Sequence, residues 1–142
     1  MIEIINRCKF YLKIHLIFVC KYRKQLLSYS KIDEDIKQIV LDISKISNFT
    51  IDIMETDKDH IHMLLNISPT YPICSVVNRI KSISTNRIWK LHWNILKHNF
   101  WKENTFWSDE YFVCSIGEAN PDTIRKYIEN QGKGKSKIDG RM

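Results

Sequence analysis

Residues 49–67 have the sequence FTIDIMETDKDHIHMLLNI, and this stretch decides the fold. Its two ends, residues 49–56 and 60–67, are rich in β-branched and apolar side chains and predict two strands. The polar link Asp57-Lys58-Asp59 between them is short enough for a tight reversal. We therefore predict an antiparallel hairpin in the middle of the chain.

Helical periodicity appears on both sides of this hairpin. Isoleucine and valine recur at helical spacing from Ser30, a plausible N-cap, to residue 46. The same spacing runs from Pro72 to about residue 90. Asn120 and Pro121, an N-cap and first-turn pair, predict a last helix that ends at Gln131.

Two more strands complete the pattern. Residues 10–20 predict a first strand and residues 111–116 a fourth, which Gly117 ends, while the tryptophan-rich residues 93–107 are irregular. The order β-α-β-β-α-β-α predicts an α+β fold of the ferredoxin-like (RRM-like) kind. Its antiparallel sheet would carry helices on one face and leave the other face free for a ligand.

Composition narrows the class of protein. A chain of 142 residues with a net charge of +6 and pI near 9.1 fits one domain with a polyanionic partner, either nucleic acid or an acidic membrane face. Since no run approaches ~20 apolar residues, we expect no transmembrane helix. The four scattered cysteines indicate reduced thiols in a cytoplasmic protein. We expect one domain over residues 1–131 and a mobile basic tail over residues 132–142.

His60 and His62 are the first candidates for chemistry. Side chains alternate faces along a strand, so both imidazoles point the same way, about 7 Å apart. Such a pair can chelate one divalent metal ion. The structural alternative is two half-buried polar residues on the open face of the sheet.

Tyr127 and Gln131 are the second candidate pair. Their spacing of four residues places an amide and a phenol on one stripe of the last helix. Ile124 and Ile128 share that stripe, so Tyr127 is alternatively a core aromatic residue with its hydroxyl at the rim.

A basic and aromatic field is the third feature. Cations hold phosphates and flat rings stack on bases, which is what single-stranded nucleic acid requires. Lys21 and Arg23 add to the field, and its alternative is a solvated helix face with core tryptophans. The field itself comprises Arg79, Lys81, Arg87, Lys90, Lys97 and Lys102, interleaved with Trp89, Trp93, Trp101 and Trp107.

Together the three features favour one chemistry. A metal ion held by two histidines and an amide polarises a phosphodiester and offsets its charge. A tyrosine hydroxyl beside it can attack, and the covalent phosphotyrosine product conserves the energy needed to rejoin strands.

Four segments resemble one known family: residues 15–23 (HLIFVCKYR), 59–65 (DHIHMLL), 106–113 (FWSDEYFV) and 127–131 (YIENQ). They are similar, in order and spacing, to the HUH single-tyrosine transposases of the TnpA type, from the insertion sequence 200/605 family. The resemblance implies that His60, His62 and Gln131 bind Mg²⁺ or Mn²⁺ and that Tyr127, on a helix over about residues 121–131, is the nucleophile. It implies cleavage of single-stranded DNA that leaves a 5′-phosphotyrosine and a free 3′-OH.

The resemblance also implies partners. Family members are homodimers with merged sheets, in which each nucleophile helix can serve the partner's site, and Gly117 matches the hinge before that helix. Covering an apolar sheet edge would favour such a dimer in any case. The family's substrates are DNA hairpins at element ends, in bacterial or archaeal cytoplasm at the nucleoid. Candidates for holding DNA are Arg79, Lys81, Arg87 and Lys90, although Lys81-Ser82 stands where the family usually has Lys-Gly.

Two other functions remain open at this point. The chain could keep the chemistry but act as a host-retained nickase on repeated palindromes, or as a replication-initiation nickase. It could instead be a non-catalytic module that binds single strands on its sheet.

Overall fold

A computed structural model describes residues 12–115 and 121–131. The elements follow the predicted order, with two short 3₁₀ turns, Lys21–Arg23 and Leu26–Ser28, after the first strand. In chain order they are β1 (Leu12–Cys20), α1 (Ser30–Lys45), β2 (Phe49–Asp57), β3 (His60–Ile67), α2 (Ile73–Asn99), β4 (Trp107–Ser115) and α3 (Pro121–Gln131).

The four strands form one antiparallel sheet in the order β2-β3-β1-β4. This arrangement confirms the predicted ferredoxin-like plan. The histidine-bearing strand β3 lies inside the sheet, between β2 and β1, so both of its sides are fixed by hydrogen-bonded neighbours.

The core lies between one face of the sheet and helices α1 and α2. Alternate residues of the two inner strands supply the sheet side: Ile14, Leu16, Phe18 and Cys20 from β1, and Ile61, Met63, Leu65 and Ile67 from β3. The helices supply Ile32, Ile36, Val40 and Ile43 from α1, and Val76, Val77, Ile80 and Ile88 from α2. Since successive strand residues alternate faces, this packing turns His60 and His62 toward the opposite face.

That opposite face is covered in part by α3, whereas the sequence led us to expect it to be free. The Tyr127 ring of α3 lies 5.1 Å from the Phe112 ring of β4. Ile17, the register partner of Phe112, has no exposed surface although it points away from the main core. The third helix therefore brings its tyrosine onto the face that bears the histidines.

A bulge interrupts β2 between Ile51 and Ile53. Ile51 pairs with Leu65, but Ile53 already pairs with Leu64, so one extra residue is inserted on the edge strand. Beyond the bulge, Glu55 pairs with His62.

The boundary predictions were wrong around α2. This helix continues to Asn99, not to about residue 90, and β4 begins at Trp107 rather than Tyr111. The backbone of His92 leaves helical geometry (φ −132°, ψ 36°), and its ring lies 2.6 Å from Asp35 of α1. A kink rotates the following turns, so the apolar positions after residue 92 no longer continue the earlier periodicity.

The start of α1 also differs from the prediction. Tyr29 is the N-cap, and no side chain caps that end, so Ser30 is the first helical residue. No helix in the described ranges is long and apolar enough to cross a membrane. Gly117 and the tail over residues 132–142 lie outside the described residues, so the hinge and the mobile tail stay predictions.

Candidate active site

His60 and His62 lie on the sheet face opposite α1 and α2, and both are partly buried. Their register partners on β1 are Val19 and Ile17, which are buried. The two imidazoles therefore stand on an apolar floor, with their rings toward the side covered by α3.

A carboxylate lies behind each histidine. Asp59 Oδ1 is 3.0 Å from His60 Nδ1, and Glu55 Oε1 is 3.6 Å from His62 Nδ1. Metal-binding histidines commonly turn one ring nitrogen to a carboxylate in this way, which fixes the ring and its tautomer. The arrangement directs the Nε2 atoms of both rings away from the carboxylates.

The ionisation states suit metal binding. Burial, and then the nearby His15, lower the pKa of His62, so its imidazole is neutral at pH 7. Burial opposes ionisation of Asp59, but hydrogen bonds from Arg23 and His60 outweigh it and lower the pKa of that carboxyl. A neutral imidazole backed by an ionised carboxylate is the form that binds a cation.

Tyr127 shares this face with the histidines. Phe112, on which its ring packs, and His62 are both register partners of Ile17. They therefore stand in one row across β4, β1 and β3, about 10 Å apart by the spacing of strands. Tyr127 lies at one end of that row and His62 at the other.

The Tyr127 hydroxyl is buried and has no hydrogen-bond partner, and within the described ranges no other buried side-chain polar atom lacks one. Leaving a buried donor unpaired costs about 1–3 kcal/mol. Burial, with a smaller contribution from Glu110, raises the pKa of this phenol, so the group is protonated at rest. The Tyr127 hydroxyl is thus a polar group without a partner on the sheet face that bears the two histidines.

The third predicted metal ligand is Gln131, the last residue of α3. Its side chain lies outside what the structure describes. Among the described residues, no three His, Cys, Asp or Glu side chains are grouped to hold an ion. The two imidazoles thus fit a cation only if another donor, such as an amide, completes the set.

The six predicted DNA-binding cations divide into two groups. Arg87 and Lys90 are exposed on α2. The other four are engaged within the protein: Lys21 lies 3.3 Å from Asp109, Arg23 donates to Asp59, Arg79 donates to Ser47, and Lys81 donates to the Ser108 carbonyl. Their contacts with DNA stay predictions.

The four tryptophans also form two groups, one hydrogen-bonded within the protein and one exposed. Trp89 and Trp107 donate their indole N–H groups to the Thr105 carbonyl and to Ser84 Oγ, so they are structural. Trp93 and Trp101 are 52% and 81% exposed. An ammonium lies over each exposed ring, Lys97 at 4.1 Å and Lys102 at 5.3 Å from the centroid. These two rings are the ones free to stack on bases.

A groove of about 910 Å³ lies along α2 and the start of β4. Its lining includes Lys81, Lys90, Trp93 and Asn104. An exposed cation, Lys90, and an exposed aromatic ring, Trp93, thus lie together on one side of α2.

The sequence reading missed three residues of the site: Glu55, Asp59 and His15. Asp59 precedes His60 and had a visible signal, because a carboxylate beside a ligand histidine is a common partner. Glu55 gave none, since simple alternation from Phe49 would place it on the core side, and only the bulge turns it toward His62. His15 pairs with Leu64 and meets His62 diagonally across β1 and β3, a contact that spacing in the sequence does not reveal.

Comparison with known proteins identifies the family. The family described as Transposase IS200 like matches residues 8–131. The ISDra2 transposase TnpA of Deinococcus radiodurans is 32% identical over 120 residues, which cover 84% of both chains. The transposase for insertion sequence element IS200 of Salmonella typhimurium is 30% identical over 119 residues, covering 84% of this chain and 76% of its own length.

Solved structures give the same answer for the fold. A Deinococcus radiodurans crystal structure described as a transposase has a TM-score of 0.82 at 29% identity, covering 92% of this chain and 98% of that one. A REP-associated tyrosine transposase bound to a REP hairpin has a TM-score of 0.53 at 14% identity, covering 91% and 69%, and shares the fold alone. The chain therefore belongs to the family of IS200-like transposases.

Proposed function

We propose that this transposase cleaves and rejoins single-stranded DNA at hairpin-marked element ends, with Tyr127 as nucleophile and Mg²⁺ or Mn²⁺ as cofactor. The observation that carries the proposal is the Tyr127 hydroxyl, buried without a hydrogen-bond partner on the face that bears His60 and His62. A core tyrosine would satisfy its hydroxyl, whereas a nucleophile keeps it available for substrate.

In this reaction the Tyr127 oxygen attacks the scissile phosphorus and the bond to the 3′ oxygen breaks. The DNA 5′ end stays on the tyrosine as a phosphodiester, and the leaving 3′ oxygen takes up a proton to give a free 3′-OH. Because burial raises the pKa of Tyr127, its proton must leave as the attack proceeds rather than beforehand. Attack by a new 3′-OH on the phosphotyrosine reverses the step and joins strands.

The metal ligands would be His60 and His62 through their Nε2 atoms, with Gln131 as a third. When bound, a divalent cation would polarise the phosphodiester and offset its negative charge. Asp59 holds the His60 ring through a hydrogen bond at its Nδ1 atom, and the carboxylate of Glu55 lies 3.6 Å from Nδ1 of His62. Two imidazoles on one face, each with a carboxylate near its Nδ1 atom, support this assignment.

DNA would approach along α2. The exposed rings of Trp93 and Trp101, with the exposed Arg87 and Lys90, provide stacking surfaces and cations for a single strand. The hairpin-bound protein of similar fold supports a hairpin as partner for this one. A homodimer with merged sheets, joined through an edge strand such as β2 or β4, is part of the same proposal.

The test is an incubation with labelled single strands bearing the element's end hairpin, with and without Mn²⁺. Wild-type protein should form a covalent adduct only with the metal. Tyr127→Phe should bind the strand but form no adduct, and His60→Ala should lose metal-dependent cleavage. Tyr71→Phe, which removes an exposed tyrosine hydroxyl outside the site, is the matched control and should behave as wild type.

Other outcomes identify the alternatives. An adduct with Tyr127→Phe would show that the nucleophile is another residue. Binding of single strands without cleavage, and without a metal site at His60 and His62, would indicate a non-catalytic module. Cleavage of repeated palindromes in preference to element ends would indicate a host-retained nickase.

A further inference from the structure

The guanidinium of Arg23 joins two parts of the site that are far apart in sequence. Its Nε donates to Asp59 Oδ2 at 2.7 Å, and its Nη1 donates to the Glu129 carbonyl of α3 at 2.9 Å. Asp59 in turn holds His60 through its other oxygen. A continuous chain of contacts thus runs from the histidine strand to the tyrosine helix.

Arg23 contacts α3 at its C-terminal end, where backbone carbonyl groups lack partners within the helix. Glu129 lies in the last turn, whose carbonyl groups have no partner within the helix. A cation at this end also interacts favourably with the helix dipole. Since Glu129 follows Tyr127 by two residues, holding its carbonyl fixes the backbone that carries the nucleophile.

The backbone around Arg23 is arranged to direct the side chain inward. Tyr22 and Arg23 both adopt left-handed geometry, with φ of 58° and 55°, which costs about 1–2 kcal/mol for each residue that is not glycine. Neighbouring contacts hold this turn: Cys20 N donates to the Asp59 carbonyl and Lys21 N to the Phe106 carbonyl, each at 2.8 Å. Such strain persists where the surroundings fix it, commonly at functional sites.

We propose that Arg23 is a positioning residue that holds the tyrosine helix α3 against the histidine hairpin, by bridging Asp59 and the Glu129 carbonyl. The proposal rests on the proposed roles of Tyr127 and His60. It gives Arg23 a different task from the contact with DNA phosphates that its charge alone suggests.

Arginine suits this task better than lysine. The planar guanidinium presents Nε and Nη1 in fixed directions, so one side chain can donate to a carboxylate and to a carbonyl at once. A lysine ammonium is a point charge on a flexible stem, and it holds the two acceptors less well. Arg23→Lys therefore tests the geometry apart from the charge.

The first experiment measures hydrogen exchange of the α3 amides in wild type, Arg23→Ala and Arg23→Lys, without metal or DNA. Arg125→Ala is the matched control, since it removes an exposed arginine–carboxylate pair on α3, with Asp122. Losing a hydrogen bond to a charged group should raise exchange across α3 about tenfold in Arg23→Ala and by less in Arg23→Lys. The control should match wild type.

The second experiment compares binding with chemistry on the single-stranded oligonucleotide. If Arg23 positions α3, Arg23→Ala lowers the single-turnover rate of adduct formation about tenfold and leaves the oligonucleotide Kd within about twofold. Unchanged α3 exchange, with a weaker Kd and a salt slope reduced by about 1, would instead make Arg23 a phosphate contact and overturn the proposal. Wild-type protein that forms no adduct would refute the proposed function, while the exchange result would still decide the role of Arg23.

Discussion

His15 Nδ1 lies 2.8 Å from His62 Nε2, and the two rings are within 18° of coplanar with centroids 5.0 Å apart. A centroid separation that large, with nitrogens that close, means that the rings meet edge to edge in nearly one plane. His15 therefore lies along the lone-pair direction of the nitrogen that His62 would offer to a metal ion. A cation binding there must displace this hydrogen bond.

His15→Ala should therefore bind Mn²⁺ more tightly than wild type. A hydrogen bond contributes a net ~0.5–1.5 kcal/mol, so we expect a gain of about two- to tenfold in affinity by calorimetric titration. His98→Ala, which removes an exposed histidine on α2, should leave the affinity unchanged. Weaker binding by His15→Ala would mean that His15 is itself a ligand.

Asp59→Asn should weaken Mn²⁺ binding about 10- to 100-fold, because the carboxylate that orients the His60 ring is lost. The nearby Asp57→Asn is the control, since Asp57 is exposed in the same turn and accepts a hydrogen bond from the Lys58 amide. Equal affinity of the two variants would argue against a role for Asp59 in holding the histidine.

Tyr127 should resist ionisation at alkaline pH. Burial raises its pKa above the usual 10.0, so the folded state favours the neutral phenol. The resulting stability is fully present below the unfolded pKa of about 10 and is lost as pH rises through the folded value. The phenolate absorbance of folded wild type and folded Tyr127→Phe should coincide up to about pH 10. In urea at that pH the two proteins should differ by about half a tyrosine, because the unfolded phenol is then half ionised. A difference of about half a tyrosine between the folded proteins at about pH 10 would contradict the buried placement.

Trp101→Ala should weaken binding of single-stranded DNA without lowering the free energy of unfolding. Its ring is 81% exposed, and stacking on a base is worth about 1–3 kcal/mol, so a loss of at least about fivefold in affinity is expected by fluorescence anisotropy. Leu91→Ala, which removes an exposed apolar side chain without a flat ring, should have no effect. Undiminished affinity in Trp101→Ala would remove this ring from the DNA path.

The fold was predictable where local periodicity is strong. The hairpin of β2 and β3 and the helix α1 follow directly from alternation and helical spacing. The last third of α2, residues 91–99, was not predicted, because the kink at His92 depends on its contact with Asp35, far away on α1. Tertiary contacts of this kind override local patterns.

In the candidate site, too, local patterns were predictable and tertiary contacts were not. Spacing within one element singled out His60, His62, Tyr127 and Gln131. The contacts that link them join distant residues, as His15 meets His62 and Arg23 meets Glu129. Such contacts depend on strand register and on how α3 packs against the sheet, and neither can be predicted from one amino-acid sequence.

The inserted residue in β2 determines which side chain lies opposite His62. Without the shift between Ile51 and Ile53, regular pairing would set Met54 opposite His62 and turn Glu55 toward the aliphatic interior. One amino acid on an outer strand thus determines whether an anion or a thioether neighbours that imidazole. Gain or loss of a single codon there would change the charge beside His62 while leaving His60, His62 and Tyr127 themselves unaltered.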